Sequence, residues 1–404
     1  MQVPFFRPSV GEAEIEAVTQ CLRSGWLTTG RLTKDFEARF AETIGVKHAV
    51  AVNSCTAALH LALESLGLQR GELVVVPTMT FAATAEVVRY FDATPVFVDA
   101  DPRTLCLDLQ QLESTLSALR AERPVAGLKP PYGRVRAVIP MHYGGQMVDL
   151  DAVARIARAF DVAVVEDAAH TLPASYRTDE TTPWISVGQR SDVACFSFYA
   201  NKCITTGEGG MAVTDREDLA ERMRIMSLHG MSKDAWKRFT NAGSWQYEIV
   251  APGFKYNLTD IASALGLTQL NRAQELWRDR IRVARRYLDA FANEPNLLPP
   301  VELANRQHSW HLFQIQLQTE RLNIDRAEFI QELKERGISA SVHWMPLHMQ
   351  PYYVKLFGYA PEEFPNANAA WQRLVSLPIF PGMTEAEQEH VIDTVSQLLK
   401  RHAR

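Results

Sequence analysis

The sequence predicts an α/β protein with a large, mostly parallel sheet, followed by a smaller α+β domain. Three observations carry that expectation. Seven short β-branched runs recur through the first half of the chain. Several are apolar without alternation, as strands buried on both faces are. Amphipathic stretches such as Thr56 to Leu66 and Leu150 to Phe160 lie between them, and strand, helix, strand in regular order means a parallel sheet covered by helices.

In chain order the runs are His48 to Val52, Leu73 to Val76, Pro95 to Val98, Arg136 to Pro140, Val162 to Glu166, Val193 to Phe198 and Gly210 to Thr214. The proline-rich stretch Arg123 to Tyr132 reads as a surface loop. Near residue 270 the pattern changes. Gln269 to Asn293 predicts one long amphipathic helix, and Glu294 to Gln307, with Pro295 and the Pro299-Pro300 pair, a connector. A strand from Trp310 to Leu317 follows, then a helix opened by Asp325 with Glu328 three residues on. A strand from Ile338 to Trp344 and a last helix from Thr384, with Glu387 in the capping-box position, complete the chain. The expected division is a large domain over residues 1–270 and a small one over 271–404 that includes the bridging helix.

Composition excludes several function classes. With 42 Lys plus Arg against 47 Asp plus Glu, the 404 residues carry a formal charge of −5, so no basic stripe calls for nucleic acid or an anionic membrane. No apolar window of about 18 residues exists to insert in a bilayer. The opening Met1 to Arg7 lacks a secretory pattern. Five scattered cysteines, never spaced as C-x-x-C, fit free thiols in a reducing cytoplasm rather than disulfides or a metal site. Walker, H-E-x-x-H, G-x-S-x-G and strand-following G-x-G-x-x-G patterns are missing from the sequence. Gly207-Glu208-Gly209-Gly210 is glycine-rich but precedes a strand.

The informative pair is Asp167, in Glu166-Asp167-Ala168-Ala169-His170, and Lys202, in Ser197-Phe198-Tyr199-Ala200-Asn201-Lys202. Asp167 falls at the carboxyl end of an apolar run, the edge where α/β sheets hold ligands. Burying a carboxylate there requires a cation or several donors. Lys202 follows the next run. A strand-end carboxylate and a strand-end lysine on neighbouring strands are what pyridoxal phosphate chemistry needs: the lysine bonds the aldehyde, and the carboxylate keeps the pyridine nitrogen protonated. Taken singly, Asp167 also reads as a helix cap or the ion-pair partner of Lys202, and Lys202 as an exposed loop lysine. A third element favours the cofactor: Asn53-Ser54-Cys55-Thr56-Ala57-Ala58 joins a strand to a helix, and such a turn offers amides and hydroxyls to a phosphate, or is a plain cap. Phe81 is core by default, or a flat ring for a cofactor to stack on.

These segments resemble the DegT/DnrJ/EryC1/StrS sugar aminotransferases. The likeness runs in order through Ser24 to Gly30, Asn53 to Leu59, Pro77 to Phe81, Glu166 to His170, Ser197 to Gly210 and Gly253 to Asp260. It ends with His308 to His311, Ser341 to Trp344 and Ser376 to Pro378. Within the family it is closest to the enzymes that make UDP-4-amino-4-deoxy-L-arabinose. The resemblance implies the aspartate-aminotransferase type of fold (fold type I), with a seven-stranded sheet, and a homodimer with shared sites. It implies Lys202 as the Schiff-base lysine, Asp167 on the pyridinium nitrogen and His170 at the ring hydroxyl. Thr56, Ala57 and Ser197 match phosphate contacts, Phe81 the stacking ring, and Asn257 an asparagine that reaches the neighbouring subunit's phosphate. L-Glutamate, yielding 2-oxoglutarate, would be the amino donor and a nucleotide-linked keto-sugar the acceptor. Trp26, Thr28, His308, His343 and His348 are candidates for holding that sugar, each with a packing role as the alternative. Cys55, Tyr199 and Leu172-Pro173 depart from the family pattern. A related branch of sugar dehydratases carries histidine in place of the lysine; amination at carbon 3 and a non-catalytic cofactor-binding regulator are the other readings.

Overall fold

The computed structural model describes residues 1–232 and 248–404. Two helices, α1 (Glu12–Ser24) and α2 (Arg31–Ile44), precede β1 (His48–Val52), α3 (Cys55–Ser65), β2 (Leu73–Pro77), α4 (Ala82–Arg89), β3 (Thr94–Val98) and α5 (Leu109–Arg120). Then come β4 (Val135–Val138), α6 (Leu150–Phe160), β5 (Ala163–Asp167), the short β6 (Ser175–Tyr176) and β7 (Ile185–Ser186), β8 (Val193–Ser197), β9 (Gly210–Thr214) and α7 (Glu217–Ser227). The rest holds α8 (Asp260–Phe291), β10 (Leu297–Leu298), β11 (Arg306–Gln307), β12 (Phe313–Leu317), α9 (Arg326–Glu335), α10 (Pro351–Phe357), α11 (Pro365–Arg373), β13 (Leu374–Leu377) and α12 (Glu385–Arg401).

All seven expected runs are strands of one sheet, ordered β1-β9-β8-β5-β4-β2-β3. Only β9 runs antiparallel to its neighbours β1 and β8; the other pairings are parallel. β9 is reversed because residues 198–209 return the chain directly, without a crossover helix. Val74, Val75, Val76, Val96 and Val98 are wholly buried between helix layers, each contributing about 1.5–3 kcal/mol by leaving water.

A second sheet, β10-β12-β13, packs with one face of α8 through Val283, Tyr287, Phe291, Phe313 and Ile315. Residue 270 lies inside α8, which starts well before the expected Gln269, capped by Thr259 Oγ1 on the Ala262 N–H (3.3 Å). The two expected capping boxes form: Glu328 N–H donates to Asp325 at 2.9 Å, and Glu387 N–H to Thr384 at 3.2 Å, with the reciprocal bonds present. The strand expected over Ile338 to Trp344 does not form. Single bridges join Ile338 to Val3 and Ser341 to Ser376, and β13 fills the place beside β12. The segment leaves the ladder because the Tyr143 hydroxyl donates to the His343 carbonyl and its rings turn toward a cavity.

The amino-terminal arm is stitched to the far end of the chain. Val3 N–H donates to the Gly337 carbonyl (2.8 Å), Ser339 N–H to that of Val3 (3.0 Å), and Arg7 pairs with Glu387 (2.9 Å). At the start of α2, Asp260 accepts from the amides of Gly30 (2.7 Å) and Thr33 (3.0 Å), so a distant carboxylate caps this helix.

Candidate active site

The carboxyl ends of β5 and β8 and the turn from β1 into α3 border one cavity of about 330 Å³. Thr56, Phe81, Asp167, His170, Ser197, Lys202 and His343 all line it. Ala57, Asn257, Trp26, Thr28, His308 and His348 do not. The Ala57 amide is occupied by Ser54 Oγ (3.1 Å), the cap of α3. Asn257 Nδ2 donates to Thr29 Oγ1 (2.7 Å). Trp26 borders a separate groove with α1 and α2, and the Thr28 carbonyl accepts from the Asp260 amide. His308 stacks on Trp310 (ring centroids 4.0 Å apart), and its Nδ1 accepts from the Trp310 amide. His348 is buried between Thr78 (2.7 Å) and Phe364.

Asp167 ends β5 with its carboxylate buried. Oδ2 accepts from Thr84 Oγ1 (2.7 Å) and Oδ1 from the Ala169 amide (3.1 Å). Burial pushes the carboxyl above its usual range, while these two donors and the charge of Lys202 pull it back. Lys202 sits in the turn from β8 to β9, its amide bonded to the Tyr199 carbonyl (2.9 Å). Its Nζ lies 3.4 Å from His311 Nε2, and no ion pair with Asp167 forms, so the two are not simply each other's counter-ion. Burial lowers the amine to about 8. Histidine Nδ1 of residue 170 accepts from the Gly144 amide (3.1 Å), leaving Nε2 as the donor. Burial, then Lys202, drives His170 well below its ordinary value, so it stays neutral.

Phe81 leaves 56% of its surface exposed, its ring 5.9 Å from that of Trp344. An apolar ring left open at a cavity is a platform for a planar group. Gly210 lets β9 approach the first turn of α3: a β-carbon there would run into the main chain of Ser54 and Cys55. Gly210→Ala is therefore expected to destabilise the fold by about 1–3 kcal/mol and to weaken phosphate retention more than tenfold. Thermal melting and equilibrium dialysis read both effects; unchanged retention would show that this turn does not hold a phosphate.

Sequence reasoning did not single out Thr84, Asn201, His311 or Trp344. His311 and Trp344 lay within the motifs quoted above, whereas Thr84 carried no signal beyond its place in α4. Two buried atoms, Asn201 Oδ1 and His311 Nδ1, have no partner among the described residues, and both residues line the cavity.

Unmatched polar atoms, a buried carboxylate short of a cation, a depressed lysine, an open aromatic face and hydroxyls at a helix start together fit pyridoxal phosphate. Fold and site are those of a pyridoxal-phosphate-dependent enzyme. The chain belongs to the DegT/DnrJ/EryC1/StrS aminotransferase family, whose model matches residues 8–396. It is 42% identical over 399 residues to the spore coat polysaccharide biosynthesis protein SpsC of Bacillus subtilis, covering 98% of this chain and 97% of that one. Among solved structures it resembles the PLP form of Spr1654 from Streptococcus pneumoniae, described as a sugar aminotransferase (TM-score 0.86, 31% identity, 99% of each chain). It also resembles Helicobacter pylori PseC, an aminotransferase involved in the biosynthesis of pseudoaminic acid (TM-score 0.87, 27% identity, 99% of this chain and 100% of that one). The protein is thus an aminotransferase that uses pyridoxal phosphate and acts on a sugar. Among the described residues no helix is long and apolar enough to cross a membrane.

Proposed function

We propose that the chain transfers the amino group of L-glutamate to the C4 keto carbon of a nucleotide-linked keto-deoxysugar, in the cytoplasm. The observation that carries this reading is the Lys202 amine, without a carboxylate partner among the described residues and opening on the cavity that also holds Asp167 and Phe81. The dehydratase alternative lacks its histidine, since the position holds Lys202. The names of SpsC, in spore coat polysaccharide biosynthesis, and PseC, in pseudoaminic acid biosynthesis, support a sugar acceptor.

Bound pyridoxal phosphate supplies an electrophilic aldehyde and a ring that draws electrons from the substrate carbon. Lys202 Nζ would hold that group and, as a free amine, would take the proton from the donor's α-carbon. An amine near 8 can do so close to neutral pH, whereas an ordinary lysine is almost wholly protonated there. Asp167 would keep the ring nitrogen protonated, and Thr84 orients Asp167. His170 Nε2 would donate to the ring hydroxyl. Thr56 and Ser197, at the start of α3 and the end of β8, would hold the phosphate. Asn257 completes the phosphate site of a second copy, which makes the homodimer the working unit. His343 faces the sugar; Trp26 and Thr28 would meet it from the subunit seam, while His308 and His348 serve packing. The functional division is a cofactor domain over 1–270 and a small domain over 271–404.

The test is a visible spectrum followed by steady-state kinetics. A yellow band should fade on adding L-glutamate and return with 2-oxoglutarate. Initial-rate plots against glutamate and a 4-keto sugar nucleotide should give parallel lines, as two substrates alternating in one site require. Intersecting lines, or amination only of a 3-keto sugar nucleotide by product analysis, would overturn the assignment.

A further inference from the structure

Behind Lys202, helix α8 buries a guanidinium. Arg280 is only 3% exposed. Its Nη1 donates to the carbonyls of Trp310 (3.2 Å), His311 (3.3 Å) and Ile379 (3.0 Å), and Nη2 to that of Asn201 (3.5 Å). Nε has no partner among the described residues, and no carboxylate among them acts on this charge. Arg280 shares a small enclosed space with Asn201, Lys202 and Cys203. A buried cation without a counter-ion is costly. Hydrogen bonding to four carbonyls occupies Nη1 and Nη2 but leaves Nε unmatched, and a neutral side chain could supply part of that bonding without the charge.

We propose that Arg280 is a positioning residue for Lys202: it ties the Asn201–Lys202 turn to residues 310–311 and 379, and its unpaired charge opposes a second positive charge on the Lys202 amine. The groups facing that amine set the balance. Asp167 at the end of β5 favours the ammonium, and so would the thiols of Cys55 and Cys203 if ionised. Burial keeps the Cys55 thiol protonated. His170, His311 and His343 are held neutral by burial around it. Enclosure, aided by Arg280, prevails, and the amine falls to about 8. The consequence is an amine already able to bond an aldehyde near neutral pH; this use of it rests on Lys202 being the cofactor-bearing lysine, whereas the charge effect does not.

The experiment reads the amine directly. Full-length protein stripped of cofactor is labelled with acetic anhydride across a pH series, and the Lys202 peptide is quantified by mass spectrometry. Wild type should show a midpoint near 8. Arg280→Met should raise it by about one pH unit and slow pyridoxal phosphate uptake at neutral pH about tenfold. Arg280→Lys should leave the midpoint in place, although it cannot make the same four bonds. A methionine variant that stays at the wild-type midpoint, or a lysine variant that rises as far as methionine, overturns the proposal. Should Arg280→Met not fold, Arg280→Gln takes its place with the same expected rise. If labelling behaves as expected but the wild type takes up no pyridoxal phosphate, the proposed function fails and the role of Arg280 stands.

Discussion

Lys202→Ala is expected to yield a folded, colourless protein whose turnover is reduced on the order of 10³-fold or more. The loss is chemical because this side chain does little for the fold. Among the described residues it makes no ion pair, and its Nζ lies 3.4 Å from His311 Nε2. Removing a partly buried amine spares its desolvation, so the melting temperature should hold or rise. Lys202→Arg separates charge from nucleophile: the guanidinium keeps a cation in the turn but offers no neutral amine. Both variants should lose the visible band equally. Retention of a tenth of the wild-type rate by either would show that another group moves the proton.

Steep loss of stability between about pH 6.5 and pH 4 is the second large effect. His60, His308 and His348 are buried, and burial lowers them to about 4, 3 and 4 respectively. In the unfolded chain they take up protons near 6.5. Between the two values the unfolded state binds more protons, so stability falls as pH falls. Each pKa unit corresponds to about 1.4 kcal/mol. The three histidines act in the same direction, so together they are a sizeable fraction of the about 5–15 kcal/mol by which a typical domain is stable. Glu37, raised to about 7 by burial, works in the opposite sense over an overlapping window, but it is one group against several. Urea midpoints at a series of pH values measure the slope. A loss below about 1 kcal/mol from pH 7.5 to pH 5 would mean that water reaches these rings.

The sheet was legible because its strands are covered on both faces, so that runs such as Leu73 to Val76 and Pro95 to Val98 carry no polar interruption. The capping boxes at Asp325 and Thr384 were legible because they are local. Helices α1 and α2 were not, since α2 takes its cap from Asp260, far along the chain. The segment 338–344 misled for a related reason: its β-branched residues suit a strand, yet its hydrogen bonds go to Val3, Ser376 and a tyrosine hydroxyl. In the site, Asp167 and Lys202 stood out because strand ends are where charge gathers. His348 and His308 attract attention as imidazoles, but stacking and burial, invisible in a sequence, place them in the core. Thr84 and Arg280 act through contacts that only the folded chain brings together.

The stitched amino-terminal arm also sets an order of events during synthesis. Val3 leaves the ribosome long before Gly337 and Ser339, the residues whose main chain it pairs with, have been made. At roughly 5–20 residues per second, that wait lasts tens of seconds. Through it the large sheet can form from residues already released, while the arm stays untethered and its apolar Val3 uncovered. The arm can therefore dock only once residues 337 and 339 have left the ribosome, and until then it is a segment open to proteases and chaperones.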